Sequence, residues 1–120
     1  MRLHYSVLAT MPTQAVRDAY VEWLSTGHIE DVVQGGAESG EVIVLDRAAD
    51  SEPWRVLTRY VFPSREVFDR YVLLHAPRLR AEGIAKFGQS VSFERQIGEV
   101  VFAADSDGPS DIGEHSGIVD

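Results

Sequence analysis

Stretches with strand periodicity and stretches with helical periodicity follow one another in the order strand, helix, strand, strand, helix, strand. That order predicts an α+β fold of the split βαβ type, the ferredoxin-like βαββαβ arrangement. Three observations carry the prediction. Residues 2–9 and 54–62 alternate apolar and polar side chains with a period of two. Residues 13–24 and 64–75 place their apolar side chains at helical spacing. Only a short polar loop, residues 48–53, separates the second strand from the third, which makes them an antiparallel hairpin. A four-stranded antiparallel sheet in the order 4-1-3-2, with two helices on one face, follows.

In the first strand Leu3, Tyr5, Val7 and Ala9 point one way, and His4, Ser6 and Leu8 the other. Pro12 cannot donate to a ladder and ends it. Thr13 is placed to cap a helix whose apolar stripe is Val16, Tyr20, Trp23 and Leu24. Gly27 is a helix stop, after which residues 28–33 resume a short helical pattern closed by Gly35-Gly36. The run Val42-Ile43-Val44-Leu45, within a strand expected over 41–47, reads as buried on both faces. In the third strand Trp54, Val56, Thr58, Tyr60 and Phe62 share a face, opposite Arg55, Leu57, Arg59 and Val61.

Pro63-Ser64 stops that strand and caps the next helix, with Glu66 in its first turn, where a negative charge suits the helix dipole. Val67, Phe68, Tyr71, Val72, Leu74 and His75 trace its buried stripe. Pro77 lacks the N–H for a helix interior, so it begins a new segment. Leu79, Ile84 and Phe87 are that segment's apolar side, and Gly88 ends it. Val91, Phe93, Arg95 and Ile97 alternate in a last strand, with Gly98 expected at a bulge before Val100-Val101-Phe102. Residues 1–103 form the folded domain. Residues 104–120, with no basic side chain and little to bury, read as an acidic flexible tail.

Charge is unevenly placed within the overall net charge of -8. Residues 55–98 carry eight basic and four acidic side chains, whereas the segments on either side are strongly acidic. The overall sign argues against non-specific nucleic-acid binding. Arginine outnumbers lysine ten to one; this reads either as anion recognition or as a solvated helix face. There is no apolar run of membrane-spanning length and no signal-peptide pattern. With no cysteine, disulfides and thiolate chemistry are excluded and a cytoplasmic location is the default.

Two helices can cover only one face of the sheet, yet the second and third strands carry apolar side chains on both. A second copy of the same sheet, in a two-fold dimer, is the simplest cover. The motifs Trp23-Leu24, His28-Ile29, Val32 and Gly35-Gly36, then Tyr60-x-Phe62, Tyr71, His75-Ala76-Pro77-x-Leu79-Arg80 and Phe87-Gly88, resemble those of a family of small bacterial proteins described only as a domain of unknown function. That family is similar to the dimeric α+β-barrel superfamily, which includes small antibiotic-biosynthesis monooxygenases, isomerases and decarboxylases. The resemblance spans roughly residues 3–97. It implies a homodimer and a fold, and fold alone does not establish a reaction.

Candidate site residues come from what the fold leaves unexplained. His28 and His75 are the candidate catalytic groups, since imidazole exchanges protons near neutral pH. Arg59, Tyr60, Tyr71 and Arg80, with Tyr5, are candidates to bind a small polar or aromatic ligand. Each has a plainer reading: His75 as a capping group, His28 as a loop-fixing residue, the arginines in ion pairs. The aromatic stripe Tyr20, Trp23, Phe68 and Tyr71 reads as core. No metal-ligand spacing, nucleophile elbow or phosphate loop is present, so no metal or cofactor is expected. Three functions remain open: a homodimeric small-molecule binder, a cofactor-independent monooxygenase or isomerase using a histidine base, or an interaction module without a pocket. The sequence does not decide whether the protein is an enzyme.

Overall fold

The computed structural model describes residues 1–109. The strands are β1 (Leu3–Met11), β2 (Ser39–Val44), β3 (Trp54–Phe62) and β4 (Ser92–Glu99), hydrogen-bonded in the order β2-β3-β1-β4 with every pair antiparallel. This is the ferredoxin-like sheet predicted from element order. Each expected helix is a broken pair. The first comprises α1 (Gln14–Trp23), a kinked turn over Leu24–His28 in which Thr26 and Gly27 are not helical, and α2 (Ile29–Gln34). The second comprises α3 (Arg65–Leu74) and α4 (Ala76–Phe87). Capping follows the sequence: Thr13 Oγ1 accepts from the Val16 N–H and Ser64 Oγ from the Val67 N–H, both at 3.2 Å. Pro77 sits in the first turn of α4, where its missing N–H costs nothing.

The helices cover the face bearing Leu3, Tyr5, Ala9 and Met11 of β1 and Val56, Tyr60 and Phe62 of β3, all buried. Those side chains belong to two clusters. One gathers Tyr5, Tyr60, Phe62, Phe68, Tyr71 and Leu79; the other Ala9, Met11, Tyr20, Leu24, Val56 and Val91. Between them on the sheet, Val7 pairs with Thr58. These two side chains are smaller than the tyrosines beside them, so the core does not close there.

Three local expectations are corrected. β2 is an edge strand that ends at Val44, and Val44 is 44 % exposed rather than buried on both faces. Leu74 and Ile84, expected inside, are 61 % and 58 % exposed. Leu74 lies six residues beyond Phe68 in α3 and Ile84 five beyond Leu79 in α4, which turns them about 120° and about 140° away from those buried side chains. Gly98 marks no bulge: β1 and β4 stay in register from Leu3–Glu99 to Thr10–Ser92, with Gly98 opposite His4. Gly27 breaks the helix as expected: at φ +149° it leaves helical conformation together with Thr26, and the chain kinks there before α2. Of the tail expected over 104–120, Ala104–Asp105 and Gly108–Pro109 pair as a short hairpin, β5 and β6, and the remainder lies outside the described residues. No helix among the described residues is long and apolar enough to cross a membrane.

Candidate active site

A cavity of about 40 Å³ occupies the gap between the two core clusters. Its floor is the sheet row Thr58, Val7 and Arg95, which pair across β3, β1 and β4. Its roof is helical: Trp23, Leu24 and His28 from the first helix pair, Leu79, Arg80, Gly83 and Ile84 from α4. The chain has four tyrosines, and Tyr5, Tyr20, Tyr60 and Tyr71 all line it. As it stands the space holds a few water molecules. Anything larger requires Trp23 or the exposed Ile84 to move.

The roof depends on one absent side chain. A Cβ on Gly83 would lie 3.2 Å from Cη2 of Trp23, so glycine lets the indole lie against α4. On its other side the indole stacks on His28, with ring centroids 4.2 Å apart and planes inclined by 27°. His28 is therefore held between packed groups, and its Nδ1 is buried with no hydrogen-bond partner among the described residues. Burial lowers its pKa below the ordinary histidine value, opposed in part by Asp31 and Glu82. At neutral pH it is a neutral imidazole with one nitrogen available to accept.

The phenols behave in the opposite sense. Burial raises Tyr71 to about 12, with Tyr5 adding to the shift and Arg80 opposing it. Burial also pushes up Tyr20 and Tyr60. These three are O–H donors at any physiological pH, not bases. Tyr5 accepts a long hydrogen bond, 3.4 Å, from Nη2 of Arg80, whose own Nε is buried and unpartnered. Three buried side-chain polar atoms lack partners among the described residues, and two of them, His28 Nδ1 and Arg80 Nε, belong to this cavity. An unsatisfied buried polar atom costs about 1–3 kcal/mol, a cost that a bound polar molecule removes.

Of the residues expected from sequence, His28, Tyr60, Tyr71 and Arg80 come together here, with Tyr5. Arg59 is on the opposite face of the sheet, exposed and ion-paired with Glu41. His75 lies at the α3–α4 junction, stacked on Tyr71 at 6.4 Å and packed against Gly35, outside the lining; its side chain makes no capping hydrogen bond. Trp23, Tyr20, Thr58 and Arg95 were not singled out as site residues. The available signal was Arg95, a cation in an otherwise apolar alternation with Phe93 and Ile97; it stands on the helix-facing side of β4, exposed to water at the cavity's edge. No group of His, Asp or Glu suited to a metal ion occurs among the described residues.

The neutral imidazole titrates with a definite sign. Unfolded chains take up the His28 proton near pH 6.5, whereas the folded protein resists it because its pKa is lowered. The stability this contributes is present above that pH and is lost as pH falls through the folded value. Urea unfolding at pH 7.5 and 5.0 is expected to show a smaller acid loss in His28→Gln than in the wild type. Equal losses would place the imidazole in water.

Several solved structures share the fold. A dimeric ferredoxin-like protein from an uncultured marine organism is 10 % identical, covering 86 % of this chain and 98 % of its own, with a TM-score of 0.72. HapK from Hahella chejuensis is 15 % identical, covering 88 % and 98 %, with a TM-score of 0.63. SnoaB, a cofactor-independent oxygenase from Streptomyces nogalater, is 11 % identical, covering 82 % and 92 %, with a TM-score of 0.57. At these identities the likeness is one of fold. No curated protein matches. The sequence match is direct: residues 4–101 fit the family described as Domain of unknown function (DUF4286), and the chain belongs to that family.

Proposed function

We propose that the protein is a homodimer that binds a small aromatic ligand in the cavity between sheet and helices. The observation that carries this reading is the meeting of four tyrosines, a neutral histidine and two arginines in a gap that the core leaves open. A wall of phenols offers stacking faces and O–H donors together, the usual composition of a site for a polar aromatic molecule. A pure interaction module has no use for two buried, unpartnered polar atoms at the same gap. The dimer is supported by the uncovered face of the sheet and by the dimeric state stated for the marine ferredoxin-like protein.

Trp23 reports on the cavity. The other tryptophan, Trp54, lies outside the lining beneath the guanidinium groups of Arg17 and Arg47, so Trp54→Phe isolates the Trp23 emission. Benzoate, 2-naphthoate and their primary amides are the probes. At least one is expected to quench Trp23 saturably, and Gly83→Phe, which puts a ring where the indole now lies, is expected to weaken that binding at least about tenfold. Quenching that never saturates, or that Gly83→Phe leaves unchanged, removes the ligand-site reading.

His28 favours a catalytic version of the same site, a cofactor-independent enzyme of the monooxygenase or isomerase type. The imidazole removes a proton from carbon to give an enolate and imidazolium, and the protonated phenols hydrogen-bond the enolate oxygen. In a conjugated enolate the imidazolium then returns the proton to a different carbon, which completes an isomerisation and restores the neutral imidazole. The carbon acid 2-tetralone tests this step. Faster α-deuteration in D2O that His28→Ala abolishes supports a base; exchange unaffected by His28→Ala leaves binding only.

A further inference from the structure

We propose that the ligand is an organic anion, an aromatic carboxylate whose charged group is held by Arg80 and Arg95. This rests on the reading of the cavity as a ligand site. The protein as a whole is acidic, with a net charge of -8. The sixteen residues that line the cavity nevertheless include no aspartate or glutamate, and they include two arginines. In a chain with 19 acidic side chains, that local inversion of sign needs a cause.

Seven of the other arginines supply the contrast; the eighth, Arg70, has no ion pair among the described residues but stands exposed in water on α3. Arg2, Arg17, Arg55, Arg59, Arg65 and Arg78 each stand in an ion pair with a carboxylate. Arg47 donates to the backbone carbonyls of Asp50 and Glu52 and lies over Trp54. Among the described residues neither Arg80 nor Arg95 has an ion-pair partner. Arg80 is half-buried with its Nε shielded from water and unpartnered, and it offers its Nη2 only to a phenol at 3.4 Å. A guanidinium half out of water with a phenol but no carboxylate to pair with is unusual, because desolvated charge is normally paired.

Position agrees with charge. Arg80 hangs from the roof on α4, and Arg95 stands at the β4 end of the floor row, beside Val7. Arg80 reaches the Tyr5 phenol, and Tyr5 stands two residues along β1 from Val7, the strand neighbour of Arg95. A guanidinium presents parallel N–H donors that match a carboxylate, and the tyrosine walls accept the planar body behind it. A neutral aromatic ligand would leave both cations unpaired, and an aliphatic anion would leave the ring faces unused.

The test uses the Trp54→Phe protein and compares benzoate and 2-naphthoate with their primary amides, which keep shape and lose charge. Each acid is expected to bind about tenfold or more tighter than its amide, the range for hydrogen bonds to a charged group. Arg80→Gln and Arg95→Gln are each expected to erase most of that preference. Arg70→Gln, on the exposed surface of α3 and outside the lining, controls for overall charge. The ratio is taken within each variant, so a partial loss of folded protein cancels. Acids and amides that bind equally, or a preference untouched by both substitutions, overturn the anion while leaving the pocket. Failure of all four probes to bind overturns both.

Discussion

Leu57→Asp is expected to yield a monomer of 13.3 kDa by light scattering at tens of micromolar, where the wild type is expected to show twice that mass. The expectation comes from the face of the sheet that no helix covers. Leu57 pairs with Leu8 on one side and Ile43 on the other, so three aliphatic side chains form a continuous row across β1, β3 and β2. Val61 adds to it on β3, and all four are only partly buried in the single chain. Polar groups border the row: Ser6, Gln96, Glu94 and the Arg59–Glu41 pair. An apolar centre with a polar border is the anatomy of an interface between subunits. A two-fold axis through the row brings each substituted aspartate into the interface together with its copy. Removing an unpaired carboxylate from water costs several kcal/mol, and two act together. Leu57 lies outside both core clusters, so the helix signal in circular dichroism is expected to be unchanged. A monomeric wild type, or a variant that remains dimeric, would refute the dimer through this face.

The same face accounts for part of the β2 run. Ile43 lies on it beside Leu57, whereas Val42 and Val44 are opposite Thr58 and Val56 on the helix side, where Val44, at the end of an edge strand, is exposed. An apolar run in the sequence records every surface a residue covers, whether that surface comes from its own chain or from another. The sheet order, the caps at Thr13 and Ser64 and the restart at Pro77 were legible because each depends on neighbours in sequence. His28, Tyr60, Tyr71 and Arg80 were legible for a different reason, as polar or basic side chains on positions that the fold turns inward. Arg59 misleads because it sits one residue from Tyr60 in a strand, and a period of two sends it to the other face. Trp23 was read as core, and its place beside His28 depends on a turn that helical periodicity hides.

That turn gives the second large effect. In an α-helix residues five apart point about 140° from one another, from 3.6 residues per turn. Trp23 and His28 are five apart, yet their rings stack. The kink makes this possible: Thr26 and Gly27 leave helical conformation, and the Ile29 N–H bonds to the Leu24 carbonyl five residues back, which brings Trp23 and His28 onto one side. Ser25 Oγ and Thr26 Oγ1 donate to the carbonyls of Val21 and Glu22, at 2.8 and 2.7 Å, and bend the chain at the same place. Gly27 takes the consequence at φ +149°, where L side chains rarely go. No atom lies within 4 Å of where its Cβ would stand, so Gly27→Ala is opposed by backbone conformation alone. That opposition is about 1–3 kcal/mol, against roughly 0.4–1 kcal/mol returned by stiffening the unfolded chain. Urea unfolding is expected to show the net loss. If the chain escapes it by restoring an ordinary α-turn, His28 rotates off the indole and out of the cavity. In the Trp54→Phe background, the quenching of Trp23 that follows protonation of His28 then disappears. A Gly27→Ala protein as stable as the wild type that keeps this pH-dependent step would show that the turn does not place His28.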